Sequence, residues 1–119
     1  MPRTIHRQQL MSQSVTQNTT AYTDSFKFEK CSGDASVLVA STAGDVTVNQ
    51  QVSFDGINWF DPVDSAGSAV GVIQTAQTVT TGVYVSYSPV LAPLARYKVV
   101  ENNSATTTVT ITVVFQEDW

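Results

Sequence analysis

The sequence predicts an all-β protein, a single antiparallel β-sandwich or jelly roll with an extended N-terminal arm. Three observations carry this. Val and Thr recur throughout the 119 residues, and β-branched side chains suit a pleated, half-buried surface. Apolar and polar residues alternate in short runs, the pattern of strands with one buried face. Turn-forming residues punctuate those runs at regular intervals, and no segment holds a helical period. A chain of this length accommodates one modest core.

Residues 1–20 (MPRTIHRQQLMSQSVTQNTT) show no sustained period. Ile5, Leu10, Met11 and Val15 are scattered among polar residues, so this segment reads as the arm and residues 21–119 as the sandwich domain. Alternation begins near Tyr22. Phe26 and Phe28 share a parity in a first strand that ends near Cys31. Ser32-Gly33-Asp34 turns into a second strand marked by Val37 and Val39.

The long central strand starts at Asp45 and carries Val46, Val48, Val52 and Phe54 on one parity, with Gln50 the single polar residue among them. Asp55-Gly56 supplies its turn, since Gly takes positive φ at little cost and Asp bonds its own backbone. Trp59 follows at once and is expected in the core beneath that turn. Asp61 to Ser68 reads as loop. Val70–Thr75 and Gln77–Thr80 are weaker strands, one of them at an edge, and Val83, Val85 and Tyr87 mark a clearer one. Pro89 and Pro93 bracket an irregular link, because proline cannot donate to a ladder. Arg96–Glu101 and Thr106–Gln116 are expected to pair as a hairpin across Asn102–Ala105. Val109, Ile111, Val113 and Phe115 of the last strand point inward.

Charge narrows the function classes. The formal net charge is −4, and charged residues make up 13% of the chain, about half the usual share. An acidic balance argues against a nucleic-acid binder held by phosphate contacts. The charge is also uneven. Arg3 and Arg7 precede the first acid, Asp24, with His6 between them, and a basic tail on an acidic body points to a partner of its own. Residues 1–20 lack the continuous apolar core of a secretory signal. No later stretch approaches the roughly 20 apolar residues of a membrane helix, so no membrane partner is expected. Cys31 is alone, which rules out an intrachain disulfide, and reads as a small apolar filler.

Reaction chemistry is not legible. His6 is the only histidine and lies in the arm, so a Ser–His or Cys–His device has no base. Zinc ligation lacks ligands. Asp55, Asp61 and Asp64 offer oxygens to calcium, but a turn and an ordinary loop account for them. The expectation is a non-enzyme without metal or cofactor. Among the aromatics Trp119 stands out as the last residue, after Gln116-Glu117-Asp118. It either folds back or enters a neighbour's pocket, since Trp is enriched at interface hot spots.

Two motifs carry a family resemblance. Ser53-Phe54-Asp55-Gly56-Ile57-Asn58-Trp59 resembles the S-x-D-G-x-N-W hairpin of discoidin-like jelly rolls. Ala95-Arg96-Tyr97-Lys98-Val99-Val100 resembles the A-R-Y strand of the same group. The pairing is also similar to that of small β-sandwich virion proteins of tailed bacteriophages, such as head decoration and auxiliary capsid proteins. In that resemblance Asp55, Gly56, Asn58, Trp59, Arg96 and Tyr97 mark strand pairing and core.

Secreted discoidin domains are longer and usually hold a cysteine pair, whereas this low-charge, Thr/Ser/Asn/Gln-rich chain is more like a virion component. The resemblance therefore implies a structural virion protein, a capsid decoration or cement protein that binds and stabilises the shell as a homo-oligomer such as a trimer. Arg3, His6, Arg7 and Trp119 are the expected partner-binding residues. A carbohydrate- or host-receptor-binding module of a tail or fibre, and a head–tail or tail component, stay open as alternatives.

Overall fold

A computed structural model describes residues 3–27, 33–78, 82–90 and 92–118. Their strands are β1 (Arg3–Val15), β2 (Thr20–Tyr22), β3 (Ala35–Ser41), β4 (Asp45–Ser53), β5 (Val72–Thr78), β6 (Val83–Tyr87), β7 (Leu94–Glu101) and β8 (Thr107–Asp118). No helix occurs among the described residues.

They form two four-stranded antiparallel sheets, with orders β1-β8-β3-β6 and β2-β7-β4-β5. We call these the first and second sheet. Only β4 and β5 are consecutive strands in one sheet; every other connection crosses between the sheets. Eight strands in this order make a jelly roll.

The core is the layer between the sheets. Val37 and Val39 of β3 and Val109, Ile111 and Val113 of β8 meet Val46 and Val48 of β4 and Tyr97 and Val99 of β7, all fully buried. The inward set expected on β8 is therefore found, with Phe115 buried as well. Tyr97 packs against Phe26 at 5.5 Å and edge-on against Tyr87 at 6.4 Å between ring centroids.

Three expectations are corrected. The hairpin between the last two strands does not exist: β7 and β8 lie in different sheets. Asn103 takes positive φ, at 57°, and residues 102–106 step across the sandwich, a gap of roughly 10 Å. β8 instead lies between β1 and β3. The first strand is likewise shorter than expected: β2 ends at Tyr22, Phe26 makes a lone bridge to Ala95, and Phe28 and Cys31 lie outside the described residues.

Finally, the segment expected as an arm is extended but not separate. From Arg3 to Val15 it pairs with β8, with a bulge around Leu10, and Leu10, Met11 and Val15 enter the core. The bulge adds a residue between Gln9 and Met11, which hides the period in the sequence.

Glu101 organises the end of the sandwich where three crossings meet. Its buried carboxylate accepts backbone N–H bonds from Asn18 (3.0 Å), Asp45 (3.2 Å), Ser104 (2.9 Å) and Ala105 (3.3 Å). Those donors lie in or beside the β1–β2, β3–β4 and β7–β8 connections. Gly44 stands directly against it. A Cβ there would lie 2.7 Å from the Ala105 carbonyl oxygen and 2.8 Å from Glu101 Oε2, so this corner requires glycine.

Candidate interaction surface

At the opposite end of the sandwich, residues 54–71 form a long excursion between β4 and β5. It is tied down by its own backbone. Val52 and Phe60 exchange N–H···O bonds of 3.0 and 2.9 Å. Val70 N donates to the Pro62 carbonyl at 3.1 Å, and Gln50 N to the Gly71 carbonyl at 2.6 Å. An excursion ordered this way holds its side chains in fixed places.

The tip is built around Asp55. Its Oδ1 accepts from the backbone N–H groups of Ile57 and Asn58, each at 2.9 Å, and its Oδ2 from the Asn58 side-chain amide at 3.1 Å. The Asn58 and Ile57 backbone bonds hold its pKa down to about 2, so the carboxylate is charged at any ordinary pH. Gly56 completes the turn with φ of 78°. The consequence is that Phe54 and Ile57, on either side of this anion, both point away from the body and are each 81% exposed. Phe60, Val63 and Val70 along the same excursion, and Val72 at the start of β5, are exposed as well.

Trp59 is not in the core. It is half-buried and covers the outer face of the second sheet, where the Arg96 guanidinium lies 4.3 Å from its ring and 4.0 Å from the ring of Tyr22. Arg96 pairs with Gln51 across the sheet and donates from Nε to the Gln51 side-chain oxygen at 2.9 Å. Gln51 in turn donates to Asp61 at 2.9 Å, and Lys98 lies 3.9 Å from the same carboxylate. Burial lowers the Arg96 pKa from its ordinary value, although the nearby Tyr22 acts the other way. Arg96 and Tyr97 alternate in β7, so Arg96 meets Trp59 outside while Tyr97 is buried inside. The structure thus joins the two sequence motifs through Trp59 and Arg96, a cation–aromatic contact that alternation alone does not disclose.

The three loop aspartates have separate tasks. Asp55 and Asp64 each cap their own turn, Asp64 by accepting from Ala66 and Ser68, and Asp61 binds Gln51. No group of three metal-ligating side chains occurs among the described residues. Beneath the excursion a cleft of about 200 Å³ is lined by Asn49, Gln50, Asp61, Pro62, Gly71 and Val72, among others. That is smaller than the usual few hundred Å³ of a small-molecule site.

The basic residues of the N-terminal segment sit on β1. His6 stacks on the Phe115 ring at 5.4 Å and 12°. Arg7 is exposed and lines a second depression, about 420 Å³, with Gln9, Leu38 and Thr112 on the outer face of the first sheet. The Arg3 backbone pairs with Asp118; its side chain and Trp119 lie outside the described residues. Sequence reasoning missed the apolar excursion as a surface because Phe54 falls on the buried parity of β4. The strand ends at Ser53, and beyond a strand's end parity no longer decides which way a side chain faces.

No family model and no curated protein matches the sequence. Among solved structures the fold is similar to that of the SPBc2 prophage-derived protein YomS, with a TM-score of 0.58 and 9% identity over 96% of each chain. It is similar to a chain of the Bacillus endospore appendages, described as a novel family of disulfide-linked pili. That match has a TM-score of 0.50 and 14% identity over 98% of this chain and 90% of that one. A chain of infectious bursal disease virus, Gx strain, matches with a TM-score of 0.45 and 8% identity over 97% of this chain and 33% of that one. At such identities the likeness concerns the fold alone, and the last carries no argument.

Proposed function

We propose that this chain is a structural protein of a phage particle, a decoration or cement protein that stabilises the shell through protein contacts and performs no reaction. The observation that carries the reading is the ordered excursion after β4. Water-exposed Phe and Ile side chains on a rigid turn gain free energy only when a partner covers them. Concentrated apolar exposure of this kind marks protein contact sites. The likeness of fold to a prophage-derived protein supports the reading. So does the use of jelly rolls in viral capsids, which is an analogy at the level of fold.

The test is position and effect in purified particles of the phage that encodes the chain. Density or immunolabelling at regular positions on the head, with particles lacking the protein bursting at lower temperature, is the expected result. Label confined to the neck or tail would replace decoration by a head–tail or tail role.

A second reading, a carbohydrate- or receptor-binding module, is favoured by one observation: Tyr22 and Trp59 present partly open aromatic rings on either side of Arg96. Glycan-array binding that Trp59→Ala abolishes would support it over the first.

A further inference from the structure

We infer that the excursion's partner is a second copy of this chain: the Phe54-Asp55-Gly56-Ile57 tip of one copy seats in the depression beside Arg7 on the first sheet of the next. This rests on the reading of the excursion as a protein contact, but not on the phage particle. The two surfaces complement each other in charge, and each carries exposed apolar side chains. The tip offers two protruding apolar side chains with the Asp55 carboxylate between them. The depression has the half-exposed Leu38 in its wall, and Arg7 is the only charged residue among the described residues that line it. Exposed Ile5 shares this face with Arg7, the two being two residues apart on β1.

Charge separation along the chain reinforces the match. From Phe54 to Ala95 the sequence holds Asp55, Asp61 and Asp64 and no cation, whereas no acid precedes Asp24. Asp55 can receive an Arg, because its internal partners occupy chiefly Oδ1, and Oδ2 takes only the Asn58 amide. An Arg–carboxylate pair flanked by apolar contacts is a favourable arrangement for an interface anchor.

Tip and depression are different surfaces, so the contact is heterologous. After the first contact one copy keeps a free depression and the other a free tip, and association continues beyond a dimer into a ring or filament.

Sedimentation or light scattering on the purified full chain tests this. The wild type should form species larger than a dimer as concentration rises, and salt should weaken them by screening the Arg7 pair. Phe54→Ser with Ile57→Ser should weaken association about tenfold or more, as should Arg7→Glu with Leu38→Asp. All four side chains are at least partly exposed, and circular dichroism checks that each variant stays folded.

The decisive experiment mixes the two variants. Each retains one intact surface, so the mixture should form a one-to-one pair and stop there. If the tip variant associates like wild type, or the depression variant does, the contact is not between these surfaces. A wild type that stays monomeric at high concentration also overturns the inference. The same preparations titrated onto particles separate the two claims: a monomer that binds particles leaves the particle role standing, and an oligomer that binds none removes that role alone.

Discussion

At the scale of single residues, two buried polar side chains do work that their neighbours in sequence do not announce. Gln50 breaks the apolar alternation of β4 and is fully buried. Its side-chain oxygen accepts from the Tyr87 hydroxyl at 2.8 Å and its amide donates to the Val90 carbonyl at 3.1 Å. Tyr87 and Tyr97 hydroxyls are 2.7 Å apart. This network ties both sheets to the link after β6. Gln50→Ala should cost about 2–4 kcal/mol, combining lost bonds with a cavity.

Tyr87→Phe should cost about 1 kcal/mol, and the double variant should lose less than the sum. Strict additivity in denaturant titrations would show that the two groups act separately.

Glu101 is the second. Its enclosure would raise the carboxyl pKa, but the backbone N–H groups of Asn18, Ser104, Ala105 and Asp45 outweigh that, and the pKa lies below its ordinary 4.5. A lowered folded-state pKa gives stability that is full above 4.5 and lost as pH falls through the folded value. Glu101→Gln should therefore melt lower than wild type at neutral pH and show a shallower decline on acidification below pH 4.5. Parallel melting curves for the two proteins between neutrality and acid would assign the acid loss to other carboxylates.

At the scale of elements, β8 is the best test of register. Its Ile111 faces Met11 and Val39 on either side, and Thr110 faces Ser12 and Ala40 on the opposite face. Ile111→Asp places an uncompensated charge in the core and should prevent folding. Thr110→Asp should shift the melting temperature little. Equal effects from both would mean that the faces are misassigned, because one step of register exchanges them. The alternation in β8 was legible because both neighbours leave it regular. The alternation in β1 was not, because the bulge at Leu10 shifts the phase midway.

At the scale of the whole molecule, the N-terminal strand is part of the folding unit. Deleting residues 1–20 removes Leu10, Met11 and Val15 from the core, at about 2–5 kcal/mol for truncating each large aliphatic. A domain of this size holds about 5–15 kcal/mol in all. The deletion also leaves β8 as an unpaired edge of twelve residues, a template for aggregation. The truncated chain should thus be unfolded or insoluble, without the cooperative melt of the full chain. A soluble truncated protein with wild-type melting would show that β1 docks onto a finished sandwich.

How much of this could be read from the chain follows from the range of the forces involved. The all-β class, the strands β3, β4, β6, β7 and β8, the inward face of β8 and the Asp55-Gly56 turn were legible. Each depends on side-chain alternation or on backbone preferences within a few residues. The strand partners were not legible: Asn102–Ala105 has turn composition whether the chain doubles back or crosses to the other sheet. Only burial of the apolar faces of β7 and β8 against opposite sheets decides that. The same holds for Trp59, drawn onto the outer face by Arg96, and for the exposed pair Phe54 and Ile57. Their surroundings are set by residues roughly 40 positions away or by a strand ending one residue earlier.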